Sequence, residues 1–178
     1  MTRGRQWSLV AGTVMTIAFG IALAIKIRPE LDLIGPGSQL PDFRAMNLRT
    51  NQLTALRDYR GKVILVNIWA TWCDPCRLEM PAMEKLNDRL AGTDFRVVAL
   101  SVDKDGPDVV MQFVKALGLH FDILQDQSGD IQKLLQTTGV PESFVVDRSG
   151  VIIKKVIGAE EWDAPVNETL IRTLLNAH

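Results

Sequence analysis

Residues 62–69 read KVILVNIW, a run with one charge at its start, a single amide and four β-branched side chains. Neither the odd nor the even positions offer solvent a polar set, so the run suits a strand buried on both faces. Such a strand needs cover on both sides of its sheet, which constrains the chain to the α/β class. Gly61 punctuates its start, and WATWCDPC follows, with Cys73 and Cys76 the only cysteines of the chain. Beyond them RLEMPAMEKLNDRLAG has helical spacing, with Leu78, Ala82, Met83, Leu86 and Leu90 on one stripe and Gly92 as a stop. Pro81 lies inside that helix, where a missing backbone donor predicts a kink. The two thiols thus fall where a buried strand ends and a helix begins. There the unpaired N–H groups and the helix dipole favour a negative charge, here a thiolate.

Downstream, FRVVALSVD reads as a second buried strand, PDVVMQFVKALG as a helix ending at Gly118, FDILQD as a short strand and SGDIQKLLQTTG as a short helix. SFVVD and VIIKKVIG flank Arg148-Ser149-Gly150, a turn signature, and predict a hairpin. DAPVNETLIRTLLNAH closes the chain as a helix, with Asp163 the expected cap and Pro165 in the first turn.

Upstream, Trp7–Ile25 is 19 residues without a charge, bounded by Arg3 and Arg5 before it and Lys26 and Arg28 after it. As a helix it would be roughly 28 Å long, about the thickness of a bilayer's hydrocarbon core. A core helix would show a polar face, and this run shows none. An uncleaved anchor and a secretory signal peptide remain; Ala22-Leu23-Ala24 resembles a small-residue cleavage site, but the length and the basic residues that follow favour the anchor. Counting the free amino group, positive charge is slightly greater before the run, which places the N-terminus in the cytoplasm and the remainder outside. The expected organisation is therefore an anchor over 1–28, a Pro- and Gly-rich linker over 29–38 and one domain over 39–178. A net charge of -1 with no basic stripe argues against a nucleic-acid partner.

Three roles are open to the cysteine pair. A structural disulfide across two intervening residues closes so small a loop that it stabilises little in the chain-entropy model. A zinc site needs two more ligands, and His120 and His178 match no known spacing. A dithiol cycling with its disulfide suits an exported domain, a helix N-terminus and a Pro between the thiols.

WCDPC, VNIWATWC and GVPESFVVDRSG resemble the thioredoxin fold, most closely its membrane-tethered exported branch, the TlpA, ResA and DsbE/CcmG-type thiol:disulfide oxidoreductases. The resemblance covers nearly all of 39–178, and LPDF…LRTNQLTALRDYRGKVILVNIWATWC resembles that branch's added N-terminal hairpin. It implies a thioredoxin-like fold with a central mixed sheet, helices on both faces and an N-terminal hairpin extension, preceded by one transmembrane helix. It further implies that Cys73 is the exposed nucleophile, that Cys76 is the more buried resolving thiol, and that Pro141 follows Val140 through a cis bond. The Val140 backbone would pair with an extended client peptide. Cytosolic thioredoxins carry an Asp where this chain has Asn67. The exported branch has Asn there and uses a Glu three residues after the second cysteine, which matches Glu79 as acceptor of the Cys76 proton, with a solvated helix glutamate as the plainer reading. Glu142, after Pro141, either biases the substrate site or faces solvent. Trp72 is expected as an exposed ring for client contact and Trp69 as core, with Met80 and Met83 as core filler.

The function this implies is reduction of client disulfides on the outer side of a bacterial inner membrane. The family's clients are apocytochrome c or a copper-site protein of a respiratory oxidase, and its electrons come from a membrane thiol transporter of the CcdA/DsbD kind. No metal or further cofactor is expected beyond the Cys73–Cys76 pair. The alternatives are a general periplasmic reductase, a thiol peroxidase and a non-catalytic thiol chaperone or metallochaperone. The peroxidase loop Pro-x-x-x-Thr-x-x-Cys is absent, since position 66 is Val and position 70 is Ala.

Overall fold

A computed structural model describes residues 13–21 and 33–177. The chain divides into two units, Met1–Asp32 and Leu33–His178. In the first, residues 13–21 are helical. The rest of the expected anchor over 1–28 lies outside the described residues. Among the described residues no helix is long and apolar enough to cross a membrane.

The second unit is built on seven strands: β1 (Arg44–Asn47), β2 (Gln52–Ala55), β3 (Val63–Trp69), β4 (Phe95–Ser101), β5 (Asp122–Gln125), β6 (Glu142–Val146) and β7 (Ile152–Ile157). Its helices are α1 (Asp74–Arg89), α2 (Pro107–Ala116), α3 (Asp130–Leu134) and α4 (Pro165–Asn176). The strands form one mixed sheet in the order β2-β1-β5-β4-β3-β6-β7. β3, β4 and β5 are parallel, joined by α1 and α2 as two crossover units. β6 and β7 form the expected hairpin, antiparallel to each other and to β3. The β1–β2 hairpin extends the sheet through antiparallel pairing of β1 with β5.

All seven residues of β3 are buried, at 3% exposure or less. Successive side chains point to opposite faces, so both faces of the central strand are covered. Each of its five aliphatic side chains contributes about 2 kcal/mol on burial. That total outweighs the cost of the one amide they enclose, Asn67, which is hydrogen-bonded.

Three local expectations change. α1 buries Cys76, Glu79, Met80, Met83 and Leu86, whereas Leu78 is 78% exposed. At 100° per residue, position 78 lies opposite the 76–80–83 face, so the stripe is set from Cys76. The helix continues through Pro81. The N-cap of α4 is Ala164 rather than Asp163, whose carboxylate instead meets Lys85 at 3.2 Å and helps join α4 to α1. The expected linker over 29–38 is partly sheet-bound: Gly37 and Ser38 exchange hydrogen bonds with Ile152 at 2.8 and 2.9 Å. β7 is an edge strand, and this segment satisfies the backbone groups of its first residue, Ile152. Gly150, at φ +90°, closes the β6–β7 turn, where a Cβ would meet the Gln39 amide at 3.0 Å.

Candidate active site

β3 ends at Trp69, and a tight turn, Cys73 N–H to Ala70 O at 3.2 Å, delivers Cys73 to the N-cap of α1. There the Cys73 Sγ accepts the Cys76 N–H at 3.2 Å, so one orphan donor of the helix start already points at the sulfur. Pro75 sits in the first turn, where it takes no hydrogen bond from the helix. Cys73 and Cys76 form a disulfide, with Cα atoms 5.3 Å apart. Cys76 is fully buried, as the resemblance implied. Cys73 is 4% exposed in this oxidised form, so the expected open nucleophile is instead recessed behind its neighbours.

Trp72, beside it, is 67% exposed, while Trp69 is fully buried with its ring centroid 5.1 Å from that of Phe113. The Val140–Pro141 bond is cis. Half-buried Val140 lines a groove of about 520 Å³ together with Trp72, Val102, Lys104, Asp105 and Gln132. A second cavity, of about 480 Å³ between Leu40, Arg57 and Arg148, lies at the starting end of β3 and contains no cysteine.

Beneath the pair lies a polar cluster. Glu79 is one turn beyond Cys76 on the buried face of α1 and 3% exposed, which removes the solvated-glutamate reading. Asn67 Nδ2 donates to its Oε1 at 2.7 Å and to Ser143 Oγ at 2.9 Å, while the Glu160 N–H donates to its Oε2 at 3.1 Å. Burial pushes the Glu79 carboxyl up to about 7, and the Asn67 and Glu160 donors oppose that rise by favouring the charged form. The Trp162 N–H also favours the charged form from nearby, although its distance and angle do not make a hydrogen bond. Near neutral pH this carboxyl can take or give a proton.

Glu142 does not face solvent, which removes one of the two expectations for it, and it is not among the residues that line the groove. It is fully buried, 2.9 Å from the Lys155 ammonium, and accepts the Thr138 N–H at 3.0 Å. The cause is register: β7 pairs with β6 so that Lys155 lies opposite Phe144, diagonal to Glu142, within reach of its carboxylate. Glu142 thereby ties the segment leading to Pro141 to the sheet.

Sequence reasoning passed over Ser143, Glu160, Lys155 and a further buried carboxylate, Asp103, which holds Thr71. Asp103 did carry a signal: it is a charge placed directly after an apolar strand, at the end of the sheet where α/β sites gather. Among the described residues no group of three or more His, Cys, Asp or Glu is placed to hold a metal ion. The arrangement provides two thiols in bonding distance, a helix start that favours a thiolate, and a titratable carboxyl one turn beyond the inner thiol.

The Redoxin family model matches residues 35–171. The thiol-disulfide oxidoreductase ResA of Bacillus anthracis is 34% identical over 151 residues, 83% of this chain and 84% of that protein. ResA of Geobacillus thermodenitrificans is 31% identical over 160 residues, 86% of this chain and 90% of that protein. Among solved structures, one from Chlorobium tepidum described as a thiol:disulfide interchange protein DsbE superposes with a TM-score of 0.73 at 29% identity, covering 80% of this chain and 99% of its own. StoA from Bacillus subtilis shares the fold, with a TM-score of 0.61 at 24% identity over 77% of this chain and 98% of its own.

Proposed function

Because the chain belongs to the Redoxin family, as a thiol-disulfide oxidoreductase of the ResA/DsbE type, we propose that it reduces disulfides of exported client proteins from a membrane-tethered position. The Cys73–Cys76 disulfide at the start of α1, with buried Glu79 one turn beyond it, carries this reading.

In the reduced protein the Cys73 thiolate attacks a client disulfide. A Cys73–client S–S bond forms and one client thiolate leaves. Cys76 then gives its proton to Glu79 and attacks the Cys73 sulfur, which breaks the mixed disulfide and releases the second client thiolate. Two electrons have moved to the client, and the protein is left as the Cys73–Cys76 disulfide. Trp72 offers an apolar face to the client, and the Val140 backbone offers a strand partner. Pro141 closes the site against the cysteine pair. The clients we favour are apocytochrome c or a copper-site protein of a respiratory oxidase, with electrons returned by a membrane thiol transporter of the CcdA/DsbD kind. An uncharged run of 19 residues between basic residues supports the tether and an extracytoplasmic domain.

The direct test is capture. Cys76→Ala, expressed at the full length of the chain, should accumulate a mixed disulfide with the client, and Cys73→Ser should accumulate none. Faster alkylation of Cys76 than of Cys73 in the reduced protein would reverse the two roles. Consumption of peroxide without reduction of protein disulfides would replace this reading with the peroxidase one.

A further inference from the structure

Asp103 is fully buried, yet it spends its carboxylate on hydroxyl and backbone N–H groups rather than on a cation. It lies two residues past the end of β4, whose last residue, Ser101, is in register with Trp69 of β3. The Thr71 N–H reaches its two oxygens at 3.2 and 3.0 Å, the Thr71 hydroxyl donates to Oδ1 at 2.6 Å, and the Ser101 hydroxyl donates to Oδ2 at 2.8 Å. Thr71 directly precedes Trp72. On its other side, the Asp103 carbonyl accepts Gln125 Nε2 at 3.2 Å, and the same amide nitrogen holds the Asp105 carbonyl at 2.9 Å. Gln127 Nε2 repeats the grip on Asp105 at 2.8 Å and on Lys104 at 3.2 Å. Trp72, Lys104 and Asp105 all line the groove.

Burying a carboxylate without a cation is costly, and it persists where donors are fixed around it. A neutral side chain would fill the position at less cost if packing were its only task. We infer that Asp103 is a positioning residue that fixes Trp72 relative to Lys104 and Asp105 in the groove lining, and so sets how tightly an extended client segment is held. This rests on the client-groove reading above. The residue touches neither sulfur nor client. It acts through Thr71 on the neighbouring Trp72 and through its own backbone on Lys104 and Asp105, so its effect falls on client binding rather than on sulfur chemistry.

The test compares two oxidised substrates for the reduced protein: a short peptide closed by an internal disulfide, and 2-hydroxyethyl disulfide, which is too small to span the groove. Thr71→Val, which removes one hydroxyl donor at constant shape, should raise KM for the peptide about fivefold with kcat unchanged. Asp103→Ala should raise it about tenfold or more, and Asp103→Asn, which keeps an acceptor for the Thr71 N–H, should return KM toward the wild-type value. The rate with 2-hydroxyethyl disulfide should stay the same throughout. If Asp103→Ala does not fold, Thr71→Val decides. An unchanged peptide KM in Thr71→Val, or an equal loss on both substrates, would overturn the inference. A wild-type protein with no preference for the peptide would remove the groove reading itself, whereas a preference that survives Thr71→Val removes only the clamp.

Discussion

Glu79 and Glu142 are both shut away from solvent near the end of β3 where the cysteines sit, and their surroundings differ in one respect. Glu142 faces an ammonium, Lys155 at 2.9 Å, whereas the groups that donate to Glu79, the Asn67 amide and the Glu160 N–H, are neutral, and the nearby Glu160 charge adds to the effect of burial. In the first case a full positive charge compensates the buried negative one. In the second, hydrogen bonds compensate it in part, and burial holds the carboxyl up at about 7. Burial alone therefore does not make a carboxylate chemically useful. The partner matters as well: Glu142 is tied to a cation, and Glu79 is held by neutral donors that offset its burial only in part. The same sheet end thus holds one glutamate fit for architecture and one fit for proton transfer.

The most damaging way to test this contrast is to take away the cation. Lys155→Met leaves Glu142 buried without its cation, with only the Thr138 donors, and should destabilise the domain by about 3 kcal/mol in urea unfolding at pH 7. Adding Glu142→Gln to that variant should recover most of the loss. A cost near zero for Lys155→Met would mean that the pair does not hold the charge, and the contrast would fail on that side.

The converse holds for Glu79. Its carboxyl titrates near 7 in the folded protein against an ordinary value of 4.5, so the folded state keeps a proton that the unfolded state has lost between those values. Stability therefore falls as pH rises through that window and is lowest above pH 7. Glu79→Gln should be close to neutral at pH 4, where both states are protonated, and should stabilise the oxidised protein by on the order of 2 kcal/mol at pH 8. A substitution effect that is the same at both pH values would contradict the raised titration.

The smallest expected effect marks the exposed limit of the comparison. Asp74 lies in the first turn of α1, next to Cys73, and is open to solvent. Its charge opposes the Cys73 thiolate, but water screens it. Asp74→His should raise the reduction potential by roughly 20 mV, measured by equilibration against a thiol buffer. A potential that falls or stays put would show that the exposed carboxylate does not tune the couple.

How far these differences were legible in the sequence follows from their range. KVILVNIW announced a doubly covered strand because its burial is written in consecutive residues, and the cysteine pair, the turn at Gly150 and the Val-Pro before β6 were local too. Glu79 was reachable through its spacing from Cys76. Its burial was not, because the residues that surround it, Asn67 on one side and Glu160 and Trp162 on the other, come from two stretches far from it and from each other in sequence. Glu142 misled for the same reason: what decides its role is Lys155, on a different strand, and only the β6–β7 register brings the two together. Leu78 misled differently: Met83, Leu86 and Leu90 of the expected stripe are buried, but in the first turn the buried positions are Cys76, Glu79 and Met80.

In the proposed mechanism Glu79, and not Glu142, takes the proton of the resolving thiol. This step is tested most directly by the pH dependence of mixed-disulfide resolution, with a client peptide loaded on Cys73 and its release followed by rapid mixing. The wild-type rate should climb through about pH 7 and then level, following the Glu79 carboxyl. In Glu79→Gln that inflection should vanish and the rate above it should fall roughly tenfold or more. Superimposable profiles for the two proteins across this range would contradict it.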